Sequence, residues 1–241
     1  MQLRFLQKNK EEKDMIIAVA GSGGKTTRVH KLAQYYRSLG KKVFVTTTTH
    51  MKKESDTVIP ENIEDIRKQL NETGYCMAGM PATPENALVQ KIGPLPEDFY
   101  ETAVKEADIT LIEADGSRGM PAKIPADYEP VIHENIDEIH IVIGMSALGK
   151  PASKVVHRLS LADKDLEIKE DTILTPLHLQ KLLKKGYLGP LREQYKDTKI
   201  KVYPGQADTL YQRVIARFLQ EEKDVAQIKD DWFKIQPKLV I

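Results

Sequence analysis

The sequence predicts a three-layer α/β protein in which a mainly parallel sheet is flanked by helices on both faces. Three observations indicate this class. Short apolar runs rich in β-branched residues alternate with longer amphipathic segments, which is the pattern of successive βαβ units. The first apolar run, MIIAVAG, opens into the glycine-rich stretch GSGGKTT, and a later run, ADITLIEAD, ends in acidic residues. Parallel sheets bind ligands at the carboxyl ends of their strands, so both features are expected at one edge.

Length and composition are those of an ordinary soluble protein. The chain has 241 residues, of which 41% are hydrophobic and 29% are charged, and we expect one α/β domain over 1–241. A formal net charge of +1 gives no reason to expect nucleic acid or an anionic membrane surface as a partner. The N-terminal stretch MQLRFLQKNKEEKD lacks the apolar core of a secretory signal, and no apolar run reaches the roughly 20 residues of a membrane span. A cytoplasmic location is therefore expected.

The single cysteine, Cys76, limits the chemistry that the chain can perform with sulfur. One thiol excludes a disulfide framework within the chain and a zinc site of four thiolates. It could in principle carry a selenol or persulfide intermediate. Because Cys76 is a small residue in an apolar stretch, packing is the expected role.

The first half of the chain is predicted to form three strands and two helices. In the first helix, apolar residues recur at helical spacing from Val29 to Tyr36, and Gly40 ends the pattern. The run KKVFVTTTT is β-branched along its length, as expected of a buried strand. The strands are expected at Met15–Gly21, 41–49 and 75–79, and the helices at 25–39 and 61–70.

The second half is predicted to continue this alternation with two irregular interruptions, at 79–98 and 116–135. Pro96 is expected to open a helix, and Thr175 with Pro176 to cap and open another. Strands are expected at 107–115, 136–144 and 199–205, and helices at 96–107, from 175 onward and at 207–219. From Asp224 onward, a tail and a small terminal strand are equally compatible with the pattern.

The glycine-rich stretch admits two interpretations. A dinucleotide-binding G-x-G-x-x-G would require glycine at Thr26 and an acidic residue at the end of the second strand, which instead ends in four threonines. A strict phosphate loop, G-x-x-x-x-G-K-[ST], would require glycine at Val19. One early glycine is therefore missing from the phosphate loop, whereas the dinucleotide motif fails twice. The sequence favours the phosphate loop.

Each residue type in this loop suits a nucleotide phosphate. The glycines allow backbone N–H groups to turn inward at a helix N-terminus, where they form an anion nest. Lys25 supplies a positive charge for the β- and γ-phosphates, and Thr26 offers a hydroxyl to Mg²⁺. We therefore predict that ATP or GTP binds with Mg²⁺ at Gly21, Ser22, Gly23, Gly24, Lys25, Thr26 and Thr27.

A second set of candidates follows the apolar run ADITLIEAD. Glu113 and Asp115 are two residues apart, hence on one side of a strand, and either or both could hold Mg²⁺ directly or through water. Arg118 could stabilise charge on the γ-phosphate, bind an anionic second substrate, or remain solvated. Lys25, Asp115 and Arg118 are the predicted catalytic residues.

Two weaker signals concern water and base recognition. Thr48, Thr49 and His50 end the second strand, where hydroxyls could orient a water or hold a phosphate. After the last strand, Gln206 and Asp208 match part of a guanine-reading [NT]-[KQ]-x-D pattern, but Gly205 replaces its first polar residue. Asp208 could also be a helix cap, so ATP and GTP both remain open.

Taken in order, five segments carry a resemblance to a known family: VAGSGGKTT, VTTTTHM, EADGSRGMPAKIPADYEPVIH, GMSALGKP with VVHR, and GQADT. The chain resembles the YqeC family, accessory proteins of selenium-dependent molybdenum hydroxylases, from 18 to 219. The EADGSRG block is its most specific element. The resemblance implies a P-loop NTPase fold and a role in cofactor maturation.

The resemblance also implies roles for individual residues. It assigns the glycine loop to phosphates and Glu113 with Asp115 to the metal. The sequence departs from the family pattern at Gly205, where asparagine would be expected, and this departure puts guanine specificity in doubt. Candidate second-substrate or switch residues are Ser117, Arg118, Lys123, Tyr128 and Glu129, and candidate closing-loop cations are Lys150 and Arg158.

Several functions are compatible with these residues. The leading one is Mg²⁺-dependent cleavage or transfer of a nucleoside-triphosphate γ-phosphoryl group, with water or a molybdenum-cofactor or selenium-containing precursor as acceptor. The second is a nucleotide-operated switch or chaperone that binds a protein partner in hydroxylase maturation. An amide ligase of the peptidoglycan-precursor type is less favoured, because it usually needs further domains. A nucleotidyltransferase acting on a molybdopterin-type cofactor is a further alternative.

Overall fold

The computed structural model describes residues 14–223, whose centre is a six-stranded parallel sheet. Its strands in chain order are Met15–Gly21 (β1), Val43–Thr47 (β2), Tyr75–Met77 (β4), Ile109–Glu113 (β7), Glu138–Gly144 (β9) and Lys199–Gly205 (β11). In spatial order they are β11, β9, β1, β7, β2 and β4, and every neighbouring pair is parallel.

The six predicted strands and the predicted helices are confirmed, with ends that differ by a few residues. The helices are Lys25–Ser38 (α1), Ile63–Thr73 (α2), Glu97–Glu106 (α3), Ala152–Val155 (α4), Pro176–Leu183 (α5), Gly189–Gln194 (α6) and Leu210–Gln220 (α7). Two of these, α4 and α6, have no counterpart in the sequence-based prediction, since four to six residues are too few to show helical periodicity. The ambiguous segment after Asp224 lies outside the described residues.

Side chains that alternate along the strands fill a core on each face of the sheet. In β1, Ile17 and Val19 pack with α1, whereas Ala18 and Ala20 face the side covered by α5 and α7. In β2, Phe44 turns instead to a third cluster with α2 and α3. Helices therefore cover both faces, which confirms the three-layer α/β class.

The two stretches expected to be irregular contain short strands. Met51–Lys52 (β3), Met80–Pro81 (β5) and Lys91–Gly93 (β6) form a three-stranded antiparallel sheet in the order β3-β6-β5, called the small sheet below. Ala122–Lys123 (β8) pairs in parallel with Val156–His157 (β10). The segment 79–98 is thus partly ordered in strands. Two- and three-residue strands are too short for an alternating pattern to show in the sequence.

Local sequence signals explain several helix ends. Asn62 forms a capping box at α2, and Thr175 with Pro176 caps and opens α5 as expected. At α7 the cap is Thr209, not Asp208: its hydroxyl accepts from the backbone N–H of Gln212. Within residues 14–223, no helix is both long and apolar enough to cross a membrane.

Candidate functional site

The glycine loop joins β1 to the N-terminus of α1 in a conformation that requires glycine. Gly21, Gly23 and Gly24 have φ values of 97°, 78° and 131°, in the region that L side chains rarely adopt. A Cβ atom at Gly21 would lie 2.0 Å from the carbonyl oxygen of Val142 on the neighbouring strand β9. The backbone N–H of Ser22 donates to that same oxygen at 2.8 Å. The loop is therefore pressed against the sheet, and its conformation is set by the backbone.

Two further glycines, Gly144 and Gly205, pack closely against this loop. A Cβ at Gly23 would lie 2.4 Å from Cα of Gly144, and a Cβ at Gly205 would lie 2.5 Å from the carbonyl oxygen of Gly23. The asparagine expected at 205 from a guanine-reading motif would therefore collide with the phosphate loop. Glycine at this position is explained by close packing of β11 against the loop, independently of base recognition.

Lys25 begins α1, and its ammonium group is bound by three groups around the loop. Its Nζ donates to the carbonyl of Gly21 at 2.8 Å and to Oγ of Ser117 at 3.3 Å. It also lies 3.2 Å from Oδ1 of Asp115 in an ion pair. The Lys25 side chain is almost wholly buried, so its charge is held at the base of the loop.

Asp115 lies under the loop rather than in an open site. Its Oδ2 accepts hydrogen bonds from the backbone N–H of Gly21 at 3.0 Å, from Nζ of Lys123 at 3.1 Å and from the hydroxyl of Tyr187 at 3.2 Å. Its Oδ1 makes the ion pair with Lys25 but accepts no well-aligned hydrogen bond among the described residues. Burial, followed by the charge of Asp115, raises the pKa of Tyr187 well above its ordinary value, so this phenol remains a donor.

Thr26 and Glu113 form the second polar pair at the loop. The Thr26 hydroxyl donates to Oε2 of Glu113 at 2.9 Å. Burial raises the pKa of Glu113, against the opposing effects of the Lys25 charge and the Thr26 hydrogen bond. Glu113 is placed by its pairing with Val19 of β1 and by the Thr47 hydroxyl, which donates to its carbonyl oxygen at 2.7 Å.

These two oxygen-bearing side chains fit a magnesium ion. Mg²⁺ takes one or two carboxylates and completes its shell with substrate phosphates and water. Within residues 14–223, no group of three or more His, Cys, Asp or Glu side chains is arranged to hold a metal by itself. A magnesium ion here would therefore need the phosphates of a nucleotide, with Thr26 and Glu113 as the protein's contribution.

A buried chain of charges continues from Asp115 away from the loop. Lys123 has no solvent exposure and bridges Asp115 to Oε2 of Glu129, at 3.1 and 2.8 Å. The same Glu129 oxygen lies 2.8 Å from Arg158, whose guanidinium faces the ring of Tyr128 at 5.4 Å. This charge chain connects the phosphate loop to the segment 116–135.

One cleft of about 970 Å³ brings most of the predicted site residues together. It extends from the glycine loop to the small sheet and the segment 116–135. The sequence-predicted residues that line it are Gly23, Gly24, Lys25, Thr26, Thr27, Thr48, Thr49, His50, Glu113, Ser117, Arg118, Tyr128, Glu129, Arg158 and Gln206.

Six of the predicted residues do not line this cleft. Gly21 and Ser22 are buried at the start of the loop, and Asp115 and Lys123 are buried beneath it, where they support it. Asp208, which precedes α7, and Lys150 are both exposed, and neither lines the cleft. Gln206 does line the cleft, but its Oε1 accepts from the Ser146 hydroxyl at 2.5 Å, which fixes its carbonyl end.

Hydroxyls at the end of β2 differ in their availability. The Thr48 hydroxyl donates to the carbonyl of Val131 at 2.6 Å. The Thr49 hydroxyl is buried and has no hydrogen-bond partner among the described residues, although Thr49 lines the cleft. A buried hydroxyl without a partner is unfavourable, so Thr49 is the better candidate for contact with water or phosphate.

Sequence reasoning missed Tyr187, Lys52 and Lys91. Tyr187 lies in a π-helical turn 72 positions from Asp115, and no local motif connects the two. Lys52 and Lys91 line the cleft from the small sheet, whose strands are too short to be recognised in the sequence. Two polar residues in unrecognised strands give no signal of a shared site.

Cys76 has no place in this site. It lies in β4, is fully buried, and packs in the cluster that contains Phe44 and Leu70. Burial raises the pKa of its thiol to about 12, so the nucleophilic thiolate is not populated near neutral pH. The structure supports the packing role.

A strand that opens into a glycine loop, followed by a lysine and a threonine paired with an acid from the neighbouring strand, defines a P-loop protein that binds nucleotide phosphates. Within that class the chain belongs to the YqeC family, since the family model described as "YqeC protein" matches residues 17–160. The match includes the glycine loop, Glu113 and the whole charge chain up to Arg158, but not Gln206.

Two curated proteins are similar to this chain. "Uncharacterized protein YqeC" of Escherichia coli (strain K12) is 32% identical over 171 residues, which is 62% of this chain and 60% of that protein. "Signal recognition particle 54 kDa protein" of Hyperthermus butylicus is 30% identical over 147 residues, which is 60% of this chain and 30% of that protein. The matches thus span less than two thirds of each relative. No solved structure matches the chain significantly.

Proposed function

We propose that this protein is a Mg²⁺-dependent nucleoside-triphosphate hydrolase or transferase that acts in the maturation of a selenium- or molybdenum-containing hydroxylase cofactor. The observation that carries the proposal is the shared cleft, in which Lys25 and the Thr26–Glu113 pair lie with polar groups from the end of β2, the small sheet and the segment 116–135. A site for phosphates alone would not need those groups. The maturation role rests on the family, and a cytoplasmic location on the single buried cysteine.

In this proposal the loop binds the β- and γ-phosphates. Its backbone N–H groups point to the phosphates at the N-terminus of α1. Lys25 exchanges its bonds to Asp115 and Ser117 for phosphate oxygens. Asp115 keeps its bonds to the Gly21 N–H, Lys123 and Tyr187, so the loop conformation survives the movement of Lys25. Asp115 is thus a positioning residue for Lys25 and the loop.

Thr26 and Glu113 would hold magnesium against the phosphates. When bound, the ion supplies positive charge that neutralises the triphosphate and the departing diphosphate oxygen. Glu113 must be ionised for this role. Burial raises the pKa of Glu113 and opposes ionisation, whereas the positive charge of Lys25 and the hydrogen bond from Thr26 favour the ionised form, as the charge of a bound magnesium ion would.

Arg118 and Thr49 are the proposed groups for the γ-phosphate and its acceptor. Arg118 has a φ of 49°, is exposed, and makes no ion pair with another described residue, so its guanidinium is available to a ligand in the cleft. The Thr49 hydroxyl is available to orient water or an acceptor group. Base preference is not assigned, because Asp208 lies outside the cleft and Gly205 is accounted for by packing.

The test is turnover with ATP and GTP, each with and without Mg²⁺, following phosphate and diphosphate release separately. We expect Mg²⁺-dependent product from the native chain and at least a hundredfold loss in Lys25→Ala, since charge stabilisation of the transferred phosphate is among the largest catalytic effects. Lys31→Ala on the exposed side of α1 is the matched control and should keep full activity. Nucleotide that stays intact with every acceptor offered would contradict the proposal.

A second candidate function is a nucleotide-operated switch that binds a protein partner. The observation that favours it is the charge chain, which links Lys25 through Asp115, Lys123 and Glu129 to the exposed Tyr128 region. Nucleotide binding that moves Lys25 would then alter the support of the segment 116–135. Partner capture that requires nucleotide, combined with slow turnover by the isolated chain, would favour the switch over a free-standing enzyme.

A further inference from the structure

The part of the cleft formed by the small sheet and by Arg118 is cationic. Lys52 and Lys91 reach it from β3 and β6, and Arg118 reaches it from the segment after β7. Among the residues that the structure describes, two acids line the cleft, and both are engaged: Glu113 with Thr26, and Glu129 with Lys123 and Arg158. Lys52, Lys91 and Arg118 form no ion pair with any other residue of the range 14–223. The positive charge of this wall is therefore not neutralised by the described protein.

The two lysines are placed directly opposite each other. Lys52 and Lys91 are register partners in the antiparallel pair β3·β6, and both side chains are exposed and line the cleft. Partners in such a pair project from the same face, with Cβ atoms about 5 Å apart, and like charges at this position are destabilising. An anion between the two ammonium groups would turn this repulsion into attraction. The arrangement is thus unfavourable when empty and suited to an anionic ligand.

The charge pattern also separates this wall from the metal site. The phosphate loop provides one lysine, and Thr26 with Glu113 provides the oxygen atoms for magnesium, whereas the wall provides three cations and no free carboxylate. The cleft volume of about 970 Å³ is at the upper end of the range for small-molecule sites, roughly 300–1,000 Å³. The cleft therefore offers two chemically different regions along one surface.

We propose that Lys52 and Lys91 bind the phosphate group of a second small-molecule substrate, a phosphomonoester that occupies the cleft together with the nucleotide. The inference deepens the proposed function and rests on it. A phosphomonoester presents three oxygens with up to two negative charges, and the two lysine ammonium groups can each donate to a different oxygen. Arg158, held by Glu129, also lines the cleft.

The experiment uses the full chain, saturated with Mg²⁺ and a non-hydrolysable triphosphate analogue so that the phosphate loop is filled. Phenyl phosphate is then titrated calorimetrically, with phthalate as a dicarboxylate of similar size. We expect phenyl phosphate to bind more tightly than phthalate. The double variant Lys52→Ala/Lys91→Ala should weaken phenyl phosphate binding at least tenfold, since it removes two charge-assisted hydrogen bonds to the phosphate oxygens.

The matched control is Lys31→Ala/Lys105→Ala, which removes two exposed lysines from α1 and α3, outside the cleft. It should leave phenyl phosphate affinity within about twofold, because exposed charges at a distance are screened by salt. The unliganded Lys52→Ala/Lys91→Ala protein should be as stable as the native chain or more so, as the repulsion is gone. A fall in stability together with the loss of binding would indicate a structural role and overturn the proposal.

Three further results would overturn it. The first is that the nucleotide-loaded native chain does not bind phenyl phosphate, and the second is that the control variant loses as much phenyl phosphate affinity as Lys52→Ala/Lys91→Ala. The third is that Lys52→Ala/Lys91→Ala loses affinity for the triphosphate analogue to the same extent, which would assign the wall to the nucleotide. Tighter binding of phthalate would overturn the assignment to phosphate esters. Because the analogue cannot be hydrolysed, this test does not depend on turnover, and a failure of the proposed reaction would be seen separately in the phosphate-release assay.

Discussion

The ammonium group of Lys123 and the carboxylate of Asp115, both without solvent exposure, form an ion pair of 3.1 Å beneath the phosphate loop. Lys123 comes from β8, in a segment that the sequence presents as irregular. Asp115 accepts from the Gly21 N–H, so the pair connects that segment to the conformation of the glycine loop. Removing either partner would leave the other buried charge with only part of its compensation, because Asp115 also pairs with Lys25 and Lys123 also pairs with Glu129.

Lys123→Met should therefore be strongly destabilising. Methionine has a similar length but no charge, and it would leave Asp115 and Glu129 buried with reduced compensation. We expect the free energy of unfolding to fall by about 3–5 kcal/mol, as measured by urea denaturation. Lys154→Met, at an exposed lysine of α4, is the control and should change it by less than about 0.5 kcal/mol. A loss below 1 kcal/mol at Lys123 would show that the pair is not needed for folding.

Glu113→Gln should weaken magnesium binding more than nucleotide binding. The amide keeps the size of the side chain and can still accept from Thr26, but it lacks the negative charge that Mg²⁺ prefers. We expect the Mg²⁺ concentration for half-maximal nucleotide binding to rise about 10- to 100-fold, followed with a fluorescent nucleotide. Glu101→Gln, on the exposed face of α3, should leave the Mg²⁺ titration unchanged. An unchanged titration in Glu113→Gln would place the metal elsewhere.

Gly205→Asn should damage the phosphate loop rather than create guanine selectivity. The new Cβ would lie 2.5 Å from the Gly23 carbonyl oxygen, so the loop or β11 must move. We expect a loss of about 1–3 kcal/mol in unfolding free energy and weaker binding of ATP and GTP alike. Gly149→Asn is the control, because a Cβ there meets no atom within 4 Å and asparagine tolerates its φ of 75°. A selective gain for GTP in Gly205→Asn would refute this explanation.

Stability should fall on mild acidification because of His140. Burial lowers the pKa of His140 to about 4, although its contact with Glu138 at 2.9 Å opposes the shift. The unfolded chain, with a histidine pKa of about 6.5, takes up this proton earlier than the folded chain. The contribution of His140 is therefore fully present above pH 6.5 and is lost as the pH falls towards 4.

Glu138 adds to this dependence at lower pH. Burial acts to raise its pKa, but hydrogen bonds from Lys201 and His140 outweigh burial and lower the pKa to about 2. Its contribution is complete above the unfolded value, about 4.3, and is lost as the pH falls below it. The test concerns His140: the free energy of unfolding, measured by urea denaturation at pH 7, 6 and 5, should fall less steeply with decreasing pH in His140→Gln than in the native chain. The exposed His50→Gln should retain the native slope; equal slopes in all three proteins would exclude His140 as the cause.

Much of the fold can be predicted from the sequence because its main elements are long enough to show a period. Both β1, with seven residues, and α1, with fourteen, carry clear patterns, and Gly40 and the Thr175–Pro176 pair mark helix ends. The short strands β3 and β6 carry no such pattern, so the sequence does not predict the cleft wall that contains Lys52 and Lys91. The distinction between Glu113, which lines the cleft, and Asp115, which lies behind the loop, also cannot be obtained from strand alternation, since both project from the same side.

By itself, the sequence determines the phosphate loop of this protein, because glycines with positive φ, a lysine and a threonine between a strand and a helix are local features encoded in consecutive residues. Only the tertiary structure decides what surrounds the loop. Tyr187 and Lys123 reach Asp115 from 72 and 8 positions away, and Lys52 meets Lys91 across two strands. Contacts between distant segments depend on how buried charges find partners and how short strands pair, and neither leaves a period in the sequence.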